Sequence, residues 1–407
     1  MLRILRLGGI GLSSSRFLDL LDRDDVDQLI LICDENQKKY LNDLYYTARY
    51  FQCEYLLRKA SVFYFKTNIY QKFSKKVGKE LHSSFLISLS LISLINEIKD
   101  SCKNINAVWV GDNDFDGSND LFVGLKKFFS NELPIIRSYK ETRFIKRWEE
   151  YITLKESTRL IFPNCSYLDF FRDLYRIDLG GKTLFADLDW RYSGLANWVK
   201  SIKVEKLSKI DHIPHVCILT GRALSDTRET RSGYRYYFIP IIKELINRGI
   251  AVHLHAIHIE PDRYGRNLYE EIKSSSDLFH IESPLNLIVG SEDYKILKRY
   301  DAGFLHPKIP EFDKPLEKFQ QINIPNRVYE YQMANVVPIS QIGASHELEK
   351  LIKATNYGII YKDYDHLANS LFDLIEKENI LELGKVKTYK DFADVLIKAI
   401  HNDYKKL

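Results

Sequence analysis

Short apolar runs alternate with longer amphipathic stretches along most of the 407 residues, the rhythm of βα units that build a parallel sheet. Leu2-Arg-Ile-Leu-Arg-Leu7 predicts a first strand. Gly8-Gly9-Ile10-Gly11 turns the chain, and Ser13-Ser14-Ser15 offers an N-cap to a helix through Leu21. Further strands are predicted at Leu29–Cys33, Val62–Phe65, Val108–Val110, Pro134–Ile136, Leu160–Phe162 and Thr183–Phe185, with helices over 119–130 and 148–155. A looser polar stretch, 187–213, breaks the rhythm. It restarts at His215-Val-Cys-Ile-Leu-Thr220, followed by Gly221, an eleven-residue polar loop, and a helix over 234–247 that Gly249 caps. Later strands fall at 251–256 and near 279–281, 302–305, 336–339 and 358–361, and a helix covers 391–401. The pattern predicts an α/β protein of two doubly wound, Rossmann-like domains: residues 1–190, a linker at 191–212, residues 213–385, and a C-terminal helix within 386–407.

Composition narrows the class. The 45% hydrophobic and 28% charged fractions are those of a globular chain and exclude a disordered or collagen-like one. The net charge of +4 is uneven: residues 1–200 carry 30 Lys and Arg against 26 Asp and Glu, and the remainder carries 29 of each. That excess is too weak for a dedicated nucleic-acid binder. The five cysteines include no pair at CxxC spacing, which supports neither a disulfide framework nor a thiolate zinc site. No cleavable apolar region opens the chain. The longest apolar stretch, Phe85–Ile95, is broken by three serines and falls short of the roughly 20 residues of a spanning helix. The expectation is a cytoplasmic protein. Lys72, Lys75, Lys76 and Lys79 precede that stretch. They read first as a solvated face before a core helix, and second as a basic surface for an anionic membrane.

The most informative segment is Ile324-Pro325-Asn326-Arg327-Val328-Tyr329-Glu330-Tyr331, with Ala334-Asn335 and Pro338-Ile339 behind it. A proline-led helix start leaves N–H groups to receive an anion. Glu330, one turn in, either accepts the paired hydroxyls of a ribose or complements the helix dipole. The segment resembles the nucleotide-sugar motif of GT-B glycosyltransferases, P-N-K-x-x-E-Y-x-x-A-G-x-P-V-I. Asn326, Glu330, Tyr331 and Ala334 match it. Arg327 replaces the lysine, Asn335 stands where glycine is common, and Pro338 comes one residue late. Thr220-Gly221-Arg222 resembles the strand end that opens the family's donor domain, and Tyr300-Asp301-Ala302-Gly303-Phe304-Leu305 its Y-D-x-G strand. Asp112-Asn113-Asp114 and Pro134-Ile-Ile-Arg137 resemble strand ends of its acceptor domain. The chain looks most like the large, mostly retaining family of bacterial surface-polysaccharide enzymes. One departure is Ile322, where many relatives carry a second glutamate; Glu311 and Glu317 lie in the preceding loop.

The resemblance implies a GT-B fold, with two domains facing across a cleft, and transfer from a nucleotide-activated sugar to a glycan or lipid-linked acceptor. Neither a cofactor nor a metal in the transfer step is implied. On the donor side it points to Asn326, Arg327 and Glu330, with Glu330 on the ribose. Arg222 and Arg231, from a loop that also holds Arg228 and Arg235, would neutralise the leaving diphosphate; the alternative is a salt-bridged loop with Asp226 and Glu229. His306 follows a strand and is a candidate for the sugar or phosphate. Gly9, Gly11 and Arg137 are candidates for the acceptor, Gly8–Gly11 being no dinucleotide fingerprint because Ser14 takes the last glycine's place. If the reaction inverts, Asp112 or Asp114 is the base; if it retains, the leaving phosphate takes the acceptor proton. With Asp116 these aspartates lack the remaining ligands of a calcium loop. His253, His255 and His258 read as core or strand-end residues rather than metal ligands. In the C-terminal part, the resemblance brings a helix that crosses back to the first domain. Two rivals stand beside the transferase: a sugar-nucleotide epimerase of the same architecture, and a catalytically idle binding subunit.

Overall fold

The computed structural model describes residues 1–8, 14–65, 104–111, 122–123, 125, 133–139, 148–187, 189–227, 233–305, 307–309, 318, 320–376 and 387–404. Gly9, Gly11, Asp112, Asp114, Asp116, Arg228, Arg231, His306, Glu311 and Glu317 lie outside the described residues, as do the 72–79 lysines and the 85–95 stretch. The chain divides into two compact units: Met1–Gly194 together with Lys387–Leu407, and Leu195–Val386.

The first unit is built on seven parallel strands: β1 (Leu2–Leu7), β2 (Val26–Asp34), β3 (Ala60–Phe65), β4 (Ala107–Val110), β5 (Ile135–Ser138), β6 (Arg159–Phe162) and β7 (Thr183–Phe185). Their order is β3-β2-β1-β4-β5-β6-β7, so the direction of winding reverses between β1 and β4. Ile4, Leu5, Leu7 and all four residues of β4 are fully buried. This is the continuous apolar run expected of a parallel strand covered on both faces. Gly111 ends β4 and donates its N–H to the Leu7 carbonyl at 2.7 Å. A Cβ there would sit 2.7 Å from that same oxygen, which only glycine avoids. The helix Tyr389–Tyr404 belongs to this unit. Tyr389 meets Phe17 edge-on at 6.2 Å and Phe392 lies 5.8 Å from Trp109.

The second unit holds six parallel strands: β8 (His215–Leu224), β9 (Ala251–Glu260), β10 (Phe279–Glu282), β11 (Ala302–Phe304), β12 (Val337–Gln341) and β13 (Ile359–Tyr361). Their order is β10-β9-β8-β11-β12-β13, the same doubly wound plan. Its core joins Val216, Ile218, Val252, Leu254, Phe304 and Ile339 of the strands to Phe238, Ile242 and Leu245 at the Ile239–Ile246 helix.

Three local readings of the sequence change. The strand begun at His215 does not stop at Gly221 but runs to Leu224, because Arg222, Ala223 and Leu224 pair with His258, Ile259 and Glu260 of a long β9. The helix expected over 234–247 is a 3-10 turn, Gly233–Tyr236, followed by an α-helix only from Ile239. Pro240 sits in its first turn, where its missing N–H costs nothing and its ring blocks extension toward the N-terminus. The polar stretch 187–213 contains the helices Ser193–Ser201 and Ser208–Asp211. The first buries Leu195, Ala196 and Val199 at helical spacing, a stripe too short to stand out among polar neighbours.

His215, His253 and His255 are buried, and His258 lies exposed further along β9. His215 Nδ1 lies 2.8 Å from His253 Nε2, His215 Nε2 2.8 Å from Asp211 Oδ2, and His253 Nδ1 3.2 Å from Glu282 Oε1. His255 spans the Ser283 carbonyl at 2.6 Å and the Tyr300 hydroxyl at 2.8 Å. Among the described residues no group of His, Cys, Asp and Glu is arranged to hold a metal ion. Burial, and then the neighbouring His280, His215, His255 and Arg299, push the His253 pKa down to about 2. An unfolded histidine takes up its proton near pH 6.5, whereas this one withholds it. Stability is therefore fully present above that pH and is lost as pH falls toward the folded value. Urea unfolding of His253→Gln at several pH values from 4 to 7 should show a pH slope shallower by about one proton than that of the parent. An unaltered slope would remove His253 from the acid response.

Candidate functional site

In an open parallel sheet, ligands occupy the crevice beyond the carboxyl ends of the strands where the winding reverses. In the second unit that point lies between β8 and β11. Their ladder runs from Ala302 opposite Val216 to Phe304 opposite Ile218 and ends there. Where the two backbones part, the phenol of Tyr331 enters. Its hydroxyl accepts from the Leu219 N–H at 3.4 Å and donates to the Phe304 carbonyl at 3.2 Å, completing a ladder the strands no longer make themselves. The ring lies so close to β11 that a Cβ on Gly303 would meet its carbons at 2.5 Å. Tyr331 is wholly buried, and that burial drives its pKa well above the usual phenol value. It acts as a neutral donor and acceptor.

Tyr331 belongs to the helix Arg327–Ala334, which is tied at both ends. At its start the Arg327 guanidinium donates Nη1 to the Leu219 carbonyl. At its end Asn335 takes the left-handed conformation, φ 55° and ψ 44°. Asparagine tolerates that conformation better than other side chains, which is how it serves where the motif commonly has glycine. The Asn335 carbonyl accepts from Lys206 Nζ at 2.8 Å. The same ammonium also donates to the Tyr300 carbonyl. Burial brings the Lys206 pKa down to about 8.

Glu330 sits in the first turn of this helix and is buried, its exposure only 7%. Its Oε2 accepts a 2.7 Å hydrogen bond from the Tyr294 hydroxyl. Tyr294, on the helix Asp293–Lys298, has no exposed surface and meets Trp198 edge-on at 5.8 Å. Lys298 Nζ donates to the Val199 carbonyl at 2.9 Å and ties that helix to Ser193–Ser201.

The remaining expected residues are placed as follows. Asn326 precedes the helix with its side chain exposed and making no capping bond. Arg222 is an exposed strand residue, held by Glu260 Oε1 at 2.7 Å from Nε and 2.6 Å from Nη2. Such a surface pair contributes about 0–1 kcal/mol, so an incoming anion would displace it at little cost. Arg137, in the first unit, is fully buried. Its Nη1 donates to the Ser138 carbonyl at 2.6 Å and its plane lies 4.1 Å from the Tyr139 ring centre. Ile322 is buried as an apolar residue. The structure thus brings Arg327 and Glu330 together on one helix, whose start Arg327 bonds to Leu219 of β8. Sequence reading assigned no role to Tyr294, Trp198 or Lys206. Nothing in the spacing announces a tyrosine 36 residues before the glutamate it holds.

Comparison with solved structures places the fold. Anabaena HepE in complex with UDP matches over 100% of this chain and 99% of its own, at 10% identity and a TM-score of 0.53. S. aureus MnaA in complex with UDP covers 100% and 98%, at 11% identity and 0.51. A glycosyltransferase from Rickettsia africae covers 99% and 94%, at 11% identity and 0.55. The fold is GT-B. No family model matches the chain, and neither does any curated protein sequence. Within the GT-B plan, the β8/β11 junction and the Arg327–Ala334 helix form the described part of the candidate site.

The closeness of Tyr331 to Gly303 can be tested directly. Gly303→Ala should destabilise the protein by about 1–3 kcal/mol, the usual result of overpacking a rigid contact, read as a lower urea midpoint. Pairing it with Tyr331→Leu should recover part of that loss, because the ring that obstructs the methyl is gone. An alanine variant as stable as the parent would refute the contact.

Proposed function

We propose that the chain is a glycosyltransferase that moves a sugar from a nucleotide-activated donor to a glycan or lipid-linked acceptor in the synthesis of a cell-surface polysaccharide. The observation that carries this reading is the buried Glu330 carboxylate, fixed by Tyr294 on a helix that Arg327 and Tyr331 bond to Leu219 of β8 and to the end of β11. A carboxylate so placed accepts the two hydroxyls of a ribose. The neighbours HepE and MnaA, each solved with UDP, support a nucleotide as ligand.

In this reading Glu330 holds the ribose, Asn326 and Arg327 present the helix start, and Arg222 with Arg231 receives the diphosphate as its charge develops. Guanidinium groups brought to a leaving diphosphate stabilise it without a metal. His306 contacts the sugar or phosphate. Gly9, Gly11 and Arg137 belong to the acceptor side, where Asp112 or Asp114 takes the proton if the configuration inverts. The basic excess of residues 1–200 and the lysines at 72, 75, 76 and 79 suit peripheral contact with an anionic membrane that carries the acceptor.

A ligand bound only by the folded protein raises its stability, by roughly 2.7 kcal/mol at a hundred times Kd. UDP or a UDP-sugar should therefore raise the melting temperature of the parent, whereas Glu330→Ala should show no shift and no transfer. A variant that keeps the full shift would sink the donor-site assignment. Product analysis with donor alone separates transfer from epimerisation, since an epimerase alters the sugar without an acceptor. On vesicles rich in anionic lipid, neutralising Lys72, Lys75, Lys76 and Lys79 should abolish binding; absence of binding by the intact protein would end the membrane reading.

A further inference from the structure

Glu330 does not lie in its site unaided. One of its oxygens is fixed by the Tyr294 hydroxyl at 2.7 Å. The phenol that does this is buried, set edge-on against Trp198 and carried on a helix anchored through Lys298 to the Val199 carbonyl. A carboxylate on a flexible side chain turns freely about its last bond. Once one oxygen is bonded to a rigid phenol, the plane of the group is set, and so are the directions of its remaining lone pairs. Two vicinal hydroxyls at fixed spacing are then recognised as a pair. A ligand with only one of them forgoes a charge-assisted hydrogen bond to that carboxylate, and such a loss is costly in a buried site.

We propose that Tyr294 is a positioning residue which locks the Glu330 carboxylate in the orientation that demands both ribose hydroxyls, so that the site takes ribonucleotide-activated sugars and rejects their 2′-deoxyribonucleotide counterparts. This rests on the donor-site reading above and adds a positioning residue to it. Tyr294 acts through Glu330 and need not touch the donor. Trp198 acts one step further back, by seating the Tyr294 ring.

The test is titration calorimetry with ribonucleoside diphosphates of uracil, adenine, guanine and cytosine, each paired with its 2′-deoxy form. At least one ribonucleotide should bind the parent about tenfold or more tightly than its deoxy partner, the size of a lost charged hydrogen bond. Tyr294→Phe removes one oxygen and keeps the ring. It should bring that ratio to about threefold or less, by weakening the ribonucleotide while leaving the deoxy form as in the parent. A loss of general stability would weaken both alike. Trp198→Leu, which unseats the ring but keeps the hydroxyl, should give an intermediate ratio and decides the matter if the phenylalanine variant lacks a cooperative melt. Full discrimination in every folded variant would overturn the role of Tyr294. Equal binding of ribo and deoxy forms by the parent would overturn the selectivity. No binding of any diphosphate, or binding unaffected by Glu330→Ala, would instead fail the donor-site reading itself.

Discussion

The second unit depends on a single side chain placed where two strands separate. Parallel strands that wind in opposite directions from their junction must part at their carboxyl ends, and each leaves backbone groups without partners. Tyr331 supplies both a donor and an acceptor to that gap, bonding Leu219 on one side and Phe304 on the other. Its reach requires a bare backbone at Gly303, over which the ring lies. The requirement couples two positions far apart in the chain, and it explains why the helix bearing Tyr331 has little freedom to slide. Glu330 precedes the tyrosine by one residue, so the constraint that closes the sheet also sets where the carboxylate lies.

The helix that carries these residues is short, and eight residues rarely hold together by intrinsic preference alone. Tertiary bonds substitute for propensity. Arg327 holds its start to β8, and Lys206 holds its end by donating to the Asn335 carbonyl, where the helix dipole is negative. Burying the Lys206 ammonium disfavours its charge, and the pair of carbonyls it meets offsets part of that cost.

Much of the fold was legible in the chain because parallel strands covered on both faces write themselves as unbroken apolar runs. Val108–Val110 is such a run, and Leu2–Leu7, His215–Thr220 and Ala251–Ala256 come close to it, interrupted only by arginine, histidine or threonine; each became a strand. What escaped was set by partners rather than by local pattern. Gly221 and Arg222 look like a turn, but a long β9 was present to pair with them. The Ser193–Ser201 helix shows only one short apolar stripe, and its purpose appears only where Trp198 meets Tyr294. In the candidate site, the helix and its glutamate stood out because proline, asparagine and glutamate at that spacing have local meanings. Tyr294 has none until the fold brings it to Glu330.

The edge-on contact of Trp198 with Tyr294 also gives the chain a built-in optical handle. The indole stands one ring away from the hydroxyl that holds Glu330, and it is one of only four tryptophans in the protein. Any occupant that pulls on the carboxylate changes the field along the phenol and hence around the indole. With the other three tryptophans replaced, the fluorescence of Trp198 would follow occupancy in real time, with no label added to the site it reports on.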